Sequence, residues 1–118
     1  MTKWIGRLLM AGGLIHVVSA IAIYPRVIGE IVSRGIFDTV PGNPEVGVFV
    51  WSVFFGCVAF IGGIAVNARE HAQVAIPQSI AWSLLVLGMI GIVLVPLSGF
   101  WLLFPAVIGI LRHRSATR

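Results

Sequence analysis

The chain has 118 residues, of which 58% are hydrophobic and only 10% are charged, and its mean hydropathy is +1.04. Soluble domains carry about 25% charged residues, so this chain has too few polar residues to cover a small soluble fold. The formal charge of +4 does not indicate nucleic-acid binding, because the basic residues flank apolar segments and form no patch with interleaved aromatic residues. Composition therefore predicts an integral membrane protein.

Hydropathy and length predict an all-α fold, with residues 1–118 forming one transmembrane domain, a four-helix bundle with short loops. A helix rises about 1.5 Å per residue and needs about 20 residues to cross a bilayer core. The expected spans are residues 5–24, 46–66, 77–95 and 98–112. The last two come from one long apolar stretch that "VPLSGFW" interrupts, which predicts a tight turn at Pro96–Ser98. The alternative is three spans with a long, bent last helix.

A short amphipathic helix is expected at residues 26–37, after the first span. Arg26, Glu30 and Arg34 recur at intervals of four residues, with apolar residues on the opposite side. Glu30 can pair with Arg34 one turn later. We expect this helix to lie flat at the outer membrane interface.

Charge is distributed unevenly between the two ends of the predicted spans. Four spans would place six basic residues on the side of the termini: Lys3, Arg7, Arg69, Arg112, Arg114 and Arg118. The other side would carry Arg26 and Arg34 together with three acidic residues. The positive-inside rule then predicts that both termini are cytoplasmic.

In the first predicted span, His16 lies within an apolar run that has no charged residue between Arg7 and Arg26. On a helical wheel His16 shares an arc with small residues, and the second span carries a similar stripe. Small residues let membrane helices approach closely, so this arc is expected to face the bundle interior. The candidate interior or ligand-binding residues are Gly12, Gly13, His16, Ser19, Ser52 and Gly56. The third span, with Ala81, Gly88 and Gly91, is expected to pack against these faces.

Two interpretations of His16 remain open. As a functional group it would bind a ligand, relay a proton or ligate a cofactor such as haem, and it is the one candidate catalytic residue. As a structural group it would be a neutral imidazole hydrogen-bonded to Ser52, Ser83, Ser98 or a free carbonyl. No metal site is expected, because His71 and His113 would lie half a membrane away from His16. The sequence identifies no cofactor.

Two motifs, "GLIHV" in the first span and "PLSGFW" at the last turn, resemble the DoxX-like group of small bacterial membrane proteins, over about Gly6 to Leu111. The resemblance implies a four-helix protein of the bacterial inner membrane, and some relatives are linked to quinone or thiol redox systems. Small multidrug resistance transporters are similar in length and span number, but their first span carries a glutamate where this chain has His16.

These features predict a non-catalytic binding or accessory protein for a lipophilic molecule or a membrane partner. The lipid bilayer surrounds it, and a homo-oligomer is one way to pair its small-residue faces. The alternatives are a membrane isomerase or redox component that acts through His16, and a small proton-coupled transporter. Nucleic acid is not an expected partner.

Overall fold

A computed structural model describes the backbone of residues 3–115 and the side chains of residues 3–112. The fold is all-α, and no strand occurs in the described residues. The described part of the chain has five α-helices and one 3₁₀ turn, in this order: α1 (Ile5–Ile23), α2 (Val27–Ser33), α3 (Pro44–His71), α4 (Gln78–Leu94), the 3₁₀ turn (Gly99–Leu102) and α5 (Leu103–Ser115).

The ends of the long helices follow from local sequence. α1 stops at Ile23 because Pro25 disfavours helical backbone in the residue before it. α3 starts with Pro44 in its first turn, and the Asn43 side-chain oxygen accepts hydrogen bonds from the backbone N–H groups of Glu45 and Val46 at 3.1 and 3.2 Å. α3 then continues to His71, five residues beyond the predicted limit of 66.

The amphipathic helix is shorter than the predicted 26–37. α2 ends at Ser33, where the backbone N–H of Ile36 donates to the carbonyl of Ile31 at 3.0 Å and Gly35 has φ +90°. This is a Schellman ending, in which a left-handed residue reverses the chain and a glycine avoids the Cβ clash. Gly35, which follows Arg34, therefore ends a helix that the charge spacing alone would extend to residue 37.

The last apolar stretch forms a hairpin and not one bent helix. The chain leaves helical geometry after Leu94, and the Ser98 hydroxyl accepts the Phe100 N–H at 3.5 Å as the 3₁₀ turn begins. The predicted span 98–112 is thus a 3₁₀ turn followed by α5. Pro105 lies in the first turn of α5, where its missing N–H costs no hydrogen bond.

Within the described residues, only two helices meet the length and apolarity of a membrane span, namely α1 with 19 residues and α3 with 28. α4 has 17 residues, and the apolar segment Gly99–Arg112 is also shorter than a straight crossing requires. The prediction of four full-length spans is therefore only partly met.

The helices form an open row in the order α3, α1, α5, α4, which corrects the predicted four-helix bundle. Within the described residues, no Cα atom of α4 or α5 lies within 8 Å of one in α3, and none of α4 does so with α1. The small residues of α4 meet the chain that follows it: Gly88 faces Leu103 and Phe104, and Gly91 faces the Phe100 ring. The expected contact of Gly88 and Gly91 with the first two spans is wrong, because the hairpin brings the 3₁₀ turn and α5 to that face first. Ala81, in contrast, belongs to the same buried cluster as Ile5 of α1 and Val66 of α3.

α1 and α3 are antiparallel and make the most extensive helix–helix contact among the described residues. Residues seven apart meet along this seam, which is the spacing of a left-handed helix pair. On α1 the seam contains Gly6, Gly13 and Ala20, and on α3 it contains Phe49, Gly56, Gly63 and Glu70, all buried. A Cβ atom built on Gly13 would lie 2.6 Å from the Gly56 carbonyl oxygen. The glycines therefore allow backbone-to-backbone approach.

The hairpin and α2 pack on the α1–α3 pair at different heights. Near the start of α1, Ile5 packs with Val66, Ala106 and Ile110 in one apolar cluster. Near its end, a second cluster joins α2 to both long helices and contains Ala20, Val27, Val46 and Phe49. The start of α1, the end of α3, the start of α4 and the end of α5 consequently share one end of the molecule, which we name the terminal end.

Candidate functional site

His16 lies near the middle of α1, half-buried, on the side that faces the hairpin. Its ring meets the Phe55 ring of α3 edge-on, with centroids 5.2 Å apart and an interplanar angle of 65°. Phe55 in turn contacts Phe100 of the 3₁₀ turn, with centroids 5.8 Å apart. The histidine therefore stands where α1, α3 and the tip of the hairpin meet.

The predicted set of interior residues divides into two groups. Gly13 and Gly56 belong to the seam, where each faces the backbone of the other helix. A Cβ atom on Gly56 would lie 2.6 Å from a Val17 methyl carbon and 2.8 Å from the Gly13 carbonyl oxygen. The helix pair fills this space completely, so these two glycines have no surface left for a ligand.

The other four predicted residues lie beside the seam, on the hairpin side. Gly12 faces a Leu102 methyl group, with 3.8 Å between that carbon and a Cβ built on the glycine. Ser19 is exposed and Ser52 is half-buried. Ser19 follows His16 by three residues and Ser52 precedes Phe55 by three, so in an antiparallel pair both hydroxyls are displaced in the same direction from the His16–Phe55 contact. That direction is away from the terminal end.

The hairpin covers the α1–α3 pair only up to about the height of His16. Ile23, on the same side of α1 but seven residues (about 10 Å) further along, is 68% exposed. Val48 at the corresponding height of α3 is also exposed. An uncovered part of the α1–α3 surface therefore lies above the hairpin tip. We name it the His16 recess and define it by His16, Ser19, Ser52, Phe55 and Phe100.

No hydrogen bond joins the His16 ring to another described residue. The Ser98 hydroxyl, one of the partners expected for a structural histidine, accepts the Phe100 N–H instead. A neutral imidazole has one donor and one acceptor nitrogen. Both groups, with the two serine hydroxyls, are available to a molecule in the recess.

A buried carboxylate at the terminal end was not predicted from the sequence. Glu70 is 2% exposed, and its two oxygens accept the backbone N–H groups of Ile5 and Gly6 at 3.1 and 2.9 Å. These are the first N–H groups of α1, which have no partner within the helix. A carboxylate also complements the positive end of the helix dipole. One sequence signal could have found it, because Glu70 follows Gly56 and Gly63 at the seam spacing of seven.

Polar contacts at the opposite end hold α2 against α3. Glu30 pairs with Arg34 at 3.0 Å, as the spacing predicts, and also accepts a hydrogen bond from the Asn43 side-chain amide at 2.7 Å. Asn43 caps α3 at the same time. This cluster links α2 to α3, and none of its residues belongs to the His16 recess.

Metal-ligating residues are dispersed over the part of the chain that the structure describes. No three His, Cys, Asp or Glu side chains there could share one ion. Cys57 is exposed on α3. The predicted separation of His71 from His16 fits their places at the end and the middle of the fold, and the His113 side chain lies outside the described residues.

Basic side chains gather at the terminal end: Lys3, Arg7, Arg69 and Arg112. Arg26 and Arg34 lie at the opposite end, where Glu30, Asp38 and Glu45 also lie. The Arg114 side chain and Arg118, which the sequence analysis assigned to the same basic side, lie outside the described residues.

Comparisons with curated proteins and with solved structures find no match. A family model described as "Family of unknown function (DUF6463)" matches residues 1–117. The resemblance to DoxX-like proteins is therefore wrong. Its two motifs are five and six residues long and combine an apolar run with turn-forming residues, a composition that small helical membrane proteins share widely. Nearly the whole chain matches the other model, and the protein belongs to DUF6463, a family of unknown function.

Proposed function

We propose that this protein is a multi-pass protein of the cytoplasmic membrane with both termini in the cytoplasm. Large apolar side chains are exposed on the outward faces of three helices, including Leu14, Ile15, Val18, Trp51, Phe54, Val58, Ile61, Trp82, Val86, Ile90 and Val93. Exposed apolar surface of this extent suits lipid and not water. The basic side chains at the terminal end then favour the cytoplasmic side.

α4 and α5 are short third and fourth spans in this proposal. Their apolar lengths fall below the roughly 20 residues of a straight crossing. A short hydrophobic span is accommodated by local thinning of the bilayer. Thinning beside the hairpin would bring the outer headgroups close to the His16 recess.

The function that the geometry supports best is non-catalytic binding of a lipophilic molecule in the His16 recess. One observation carries this proposal: a half-buried histidine without a hydrogen-bond partner among the described residues lies beside two serines on an otherwise apolar surface. Polar groups in an apolar medium are costly unless they find partners, and ionisable residues inside membranes are usually functional.

The recess favours a neutral molecule. Its defining side chains are an imidazole, two hydroxyls and two phenyl rings, with no carboxylate, lysine or arginine among them. A ligand with a hydroxyl or carbonyl oxygen would satisfy the imidazole and the serines, while its tail would lie along exposed Ile23 and Val48. The residues that define the recess include no carboxylate to exchange protons with His16, which supports binding over the isomerase, redox and transporter alternatives.

The test is an absorption spectrum and a native mass spectrum of the full chain purified in mild detergent. We expect a stoichiometric small molecule on the unaltered protein and its loss in His16→Ala. His71→Ala is the matched control, because it makes the same substitution at an exposed histidine at the terminal end. It should retain the molecule.

Each other outcome overturns the proposal in a defined way. A Soret band that disappears in His16→Ala would make His16 a haem ligand. A molecule retained equally by His16→Ala would place binding elsewhere. A clean apo mass would make His16 a structural residue and favour the accessory role with a membrane partner, and the same spectrum would report any homo-oligomer.

A further inference from the structure

The terminal end carries exposed cations, while Glu70, the one acidic residue described there, is buried. Both oxygens of Glu70 are engaged by backbone N–H groups of α1. Its oxygens therefore bind the start of α1, and no salt bridge joins it to a basic side chain of the described residues. Asp38, Glu30 and Glu45 belong to the opposite end.

Contacts between the helices bring four cations around the start of α1. Lys3 and Arg7 are on that segment, and Arg69 adjoins Glu70, which binds the Ile5 and Gly6 N–H groups. Gly109 of α5 lies against the Trp4 and Ile5 side chains, and Arg112 follows it by three residues, almost one turn. We name Lys3, Arg7, Arg69 and Arg112 the basic end.

All four side chains of the basic end are exposed. Arg69 donates from its Nη2 to the Ala75 carbonyl at 3.1 Å, which orients the guanidinium but leaves its charge uncompensated. Within the described residues the one salt bridge of the fold is Arg34–Glu30, at the other end. The basic end is thus a cationic surface without a protein counter-ion among the described residues.

Trp4 lies at the same height, is 38% exposed and packs over Gly109. Tryptophan concentrates at the boundary between headgroups and acyl chains. A tryptophan and four cations at one level suit a position in the lipid headgroup layer, where phosphate oxygens are the available anions.

We propose that the basic end binds anionic phospholipid of the inner leaflet through its phosphate groups and selects it over zwitterionic lipid. This inference rests on the proposed membrane location. A Lys or Arg near an anionic leaflet improves binding by about fivefold, and arginine also forms two parallel hydrogen bonds to phosphate.

The experiment reconstitutes the full chain in nanodiscs with equal amounts of phosphatidylglycerol and phosphatidylethanolamine, and then counts lipids retained in native mass spectra. We expect phosphatidylglycerol to be retained several-fold over phosphatidylethanolamine. The double variant Arg7→Gln/Arg112→Gln should lose most of this preference. Arg26→Gln removes an exposed arginine from the opposite end and should keep it.

Salt gives a second measurement that needs no variant. Screening shortens from about 10 Å at 0.1 M salt to about 3 Å at 1 M, so the preference should fall as salt rises. Equal retention of the two lipids, or a preference that survives both the double variant and high salt, would overturn the inference. Failure of the chain to enter nanodiscs would instead refute the membrane location on which it rests.

Discussion

Glu70 ties the end of α3 to the start of α1 through a single side chain. Replacing it with alanine leaves the buried N–H groups of Ile5 and Gly6 without acceptors. Each such group costs about 1–3 kcal/mol, so Glu70→Ala should lower the free energy of unfolding by about 2–6 kcal/mol. Glu70→Gln keeps one acceptor oxygen and should lose less. Unfolding in one detergent, followed by circular dichroism, measures both.

The matched control for Glu70 is Glu45→Gln. Glu45 is an exposed acidic residue in the first turn of the same helix, where only a modest helix-dipole effect of about 0.3–1 kcal/mol is at stake. A Glu70→Ala protein as stable as the Glu45→Gln protein would show that the two hydrogen bonds do not anchor α1.

In contrast to Glu70, replacing His16 should change the free energy of unfolding only slightly. Its described contact is the ring edge of Phe55, worth about 0.5–1.5 kcal/mol, and His16→Leu adds an apolar side chain to an apolar face. We expect His16→Leu and His16→Asn each to change the free energy of unfolding by about 1 kcal/mol or less. A loss above about 2 kcal/mol in His16→Leu with little loss in His16→Asn would identify a structural hydrogen bond.

The sequence indicated His16 as the residue of interest and missed Glu70 for a physical reason. Hydropathy marks where a helix is apolar, and Val66 ends the apolar part of α3, but the helix itself continues to His71. The partners of Glu70 are 64 and 65 residues away in the chain. The spacing of seven places Glu70 on the seam side of α3, but it does not identify the N–H donors that Glu70 meets until the pairing of α1 with α3 is known.

At the scale of helices, adjacent glycines on α3 offer a paired test of the seam. A Cβ atom on Gly63 would lie 2.6 Å from the Met10 backbone nitrogen, whereas one on Gly62 meets nothing within 4 Å. Gly63→Ala must push α1 and α3 apart and should cost about 1–3 kcal/mol. Gly62→Ala should be neutral or stabilise by up to about 1 kcal/mol through helix propensity. Thermal unfolding of the two variants checks the difference.

Equal stability of these two variants would mean that α1 and α3 are not in backbone contact at Gly63. The pair is informative because the substitution, the helix and the expected lipid environment are the same. Only the neighbouring atoms differ.

Helical wheels located the small-residue sides of α1 and α3 but could not resolve them further. Gly12 and Gly13 lie within one arc of about 100°, yet Gly13 meets α3 and Gly12 meets Leu102 of the hairpin. A helical wheel gives the direction of a side chain from its own helix axis, but it does not identify the neighbouring element that lies in that direction. The same limit explains why α4 was expected beside α1 and α3.

For the whole molecule, an open row of helices leaves the recess uncovered and places the hairpin tip at an edge. The Leu97 side chain at this tip is 99% exposed, and Ala75 lies in the connection between α3 and α4 at the terminal end. If α4 and α5 cross the membrane, these two positions face opposite compartments. Within the described residues, close Cα approaches join this hairpin to α1 and to no other helix.

Cysteine labelling in whole cells decides this topology. In a Cys57→Ser background, Leu97→Cys should react with a membrane-impermeant maleimide from outside, because a short hairpin in a thinned bilayer presents its tip to water. Ala75→Cys should react only after the membrane is permeabilised, since it shares the cytoplasmic side with the basic end. Labelling of Ala75→Cys from outside would invert the orientation. Protection of Leu97→Cys before and after permeabilisation would show that the hairpin ends inside the bilayer, which would leave α1 and α3 as the two crossings and both termini still on one side.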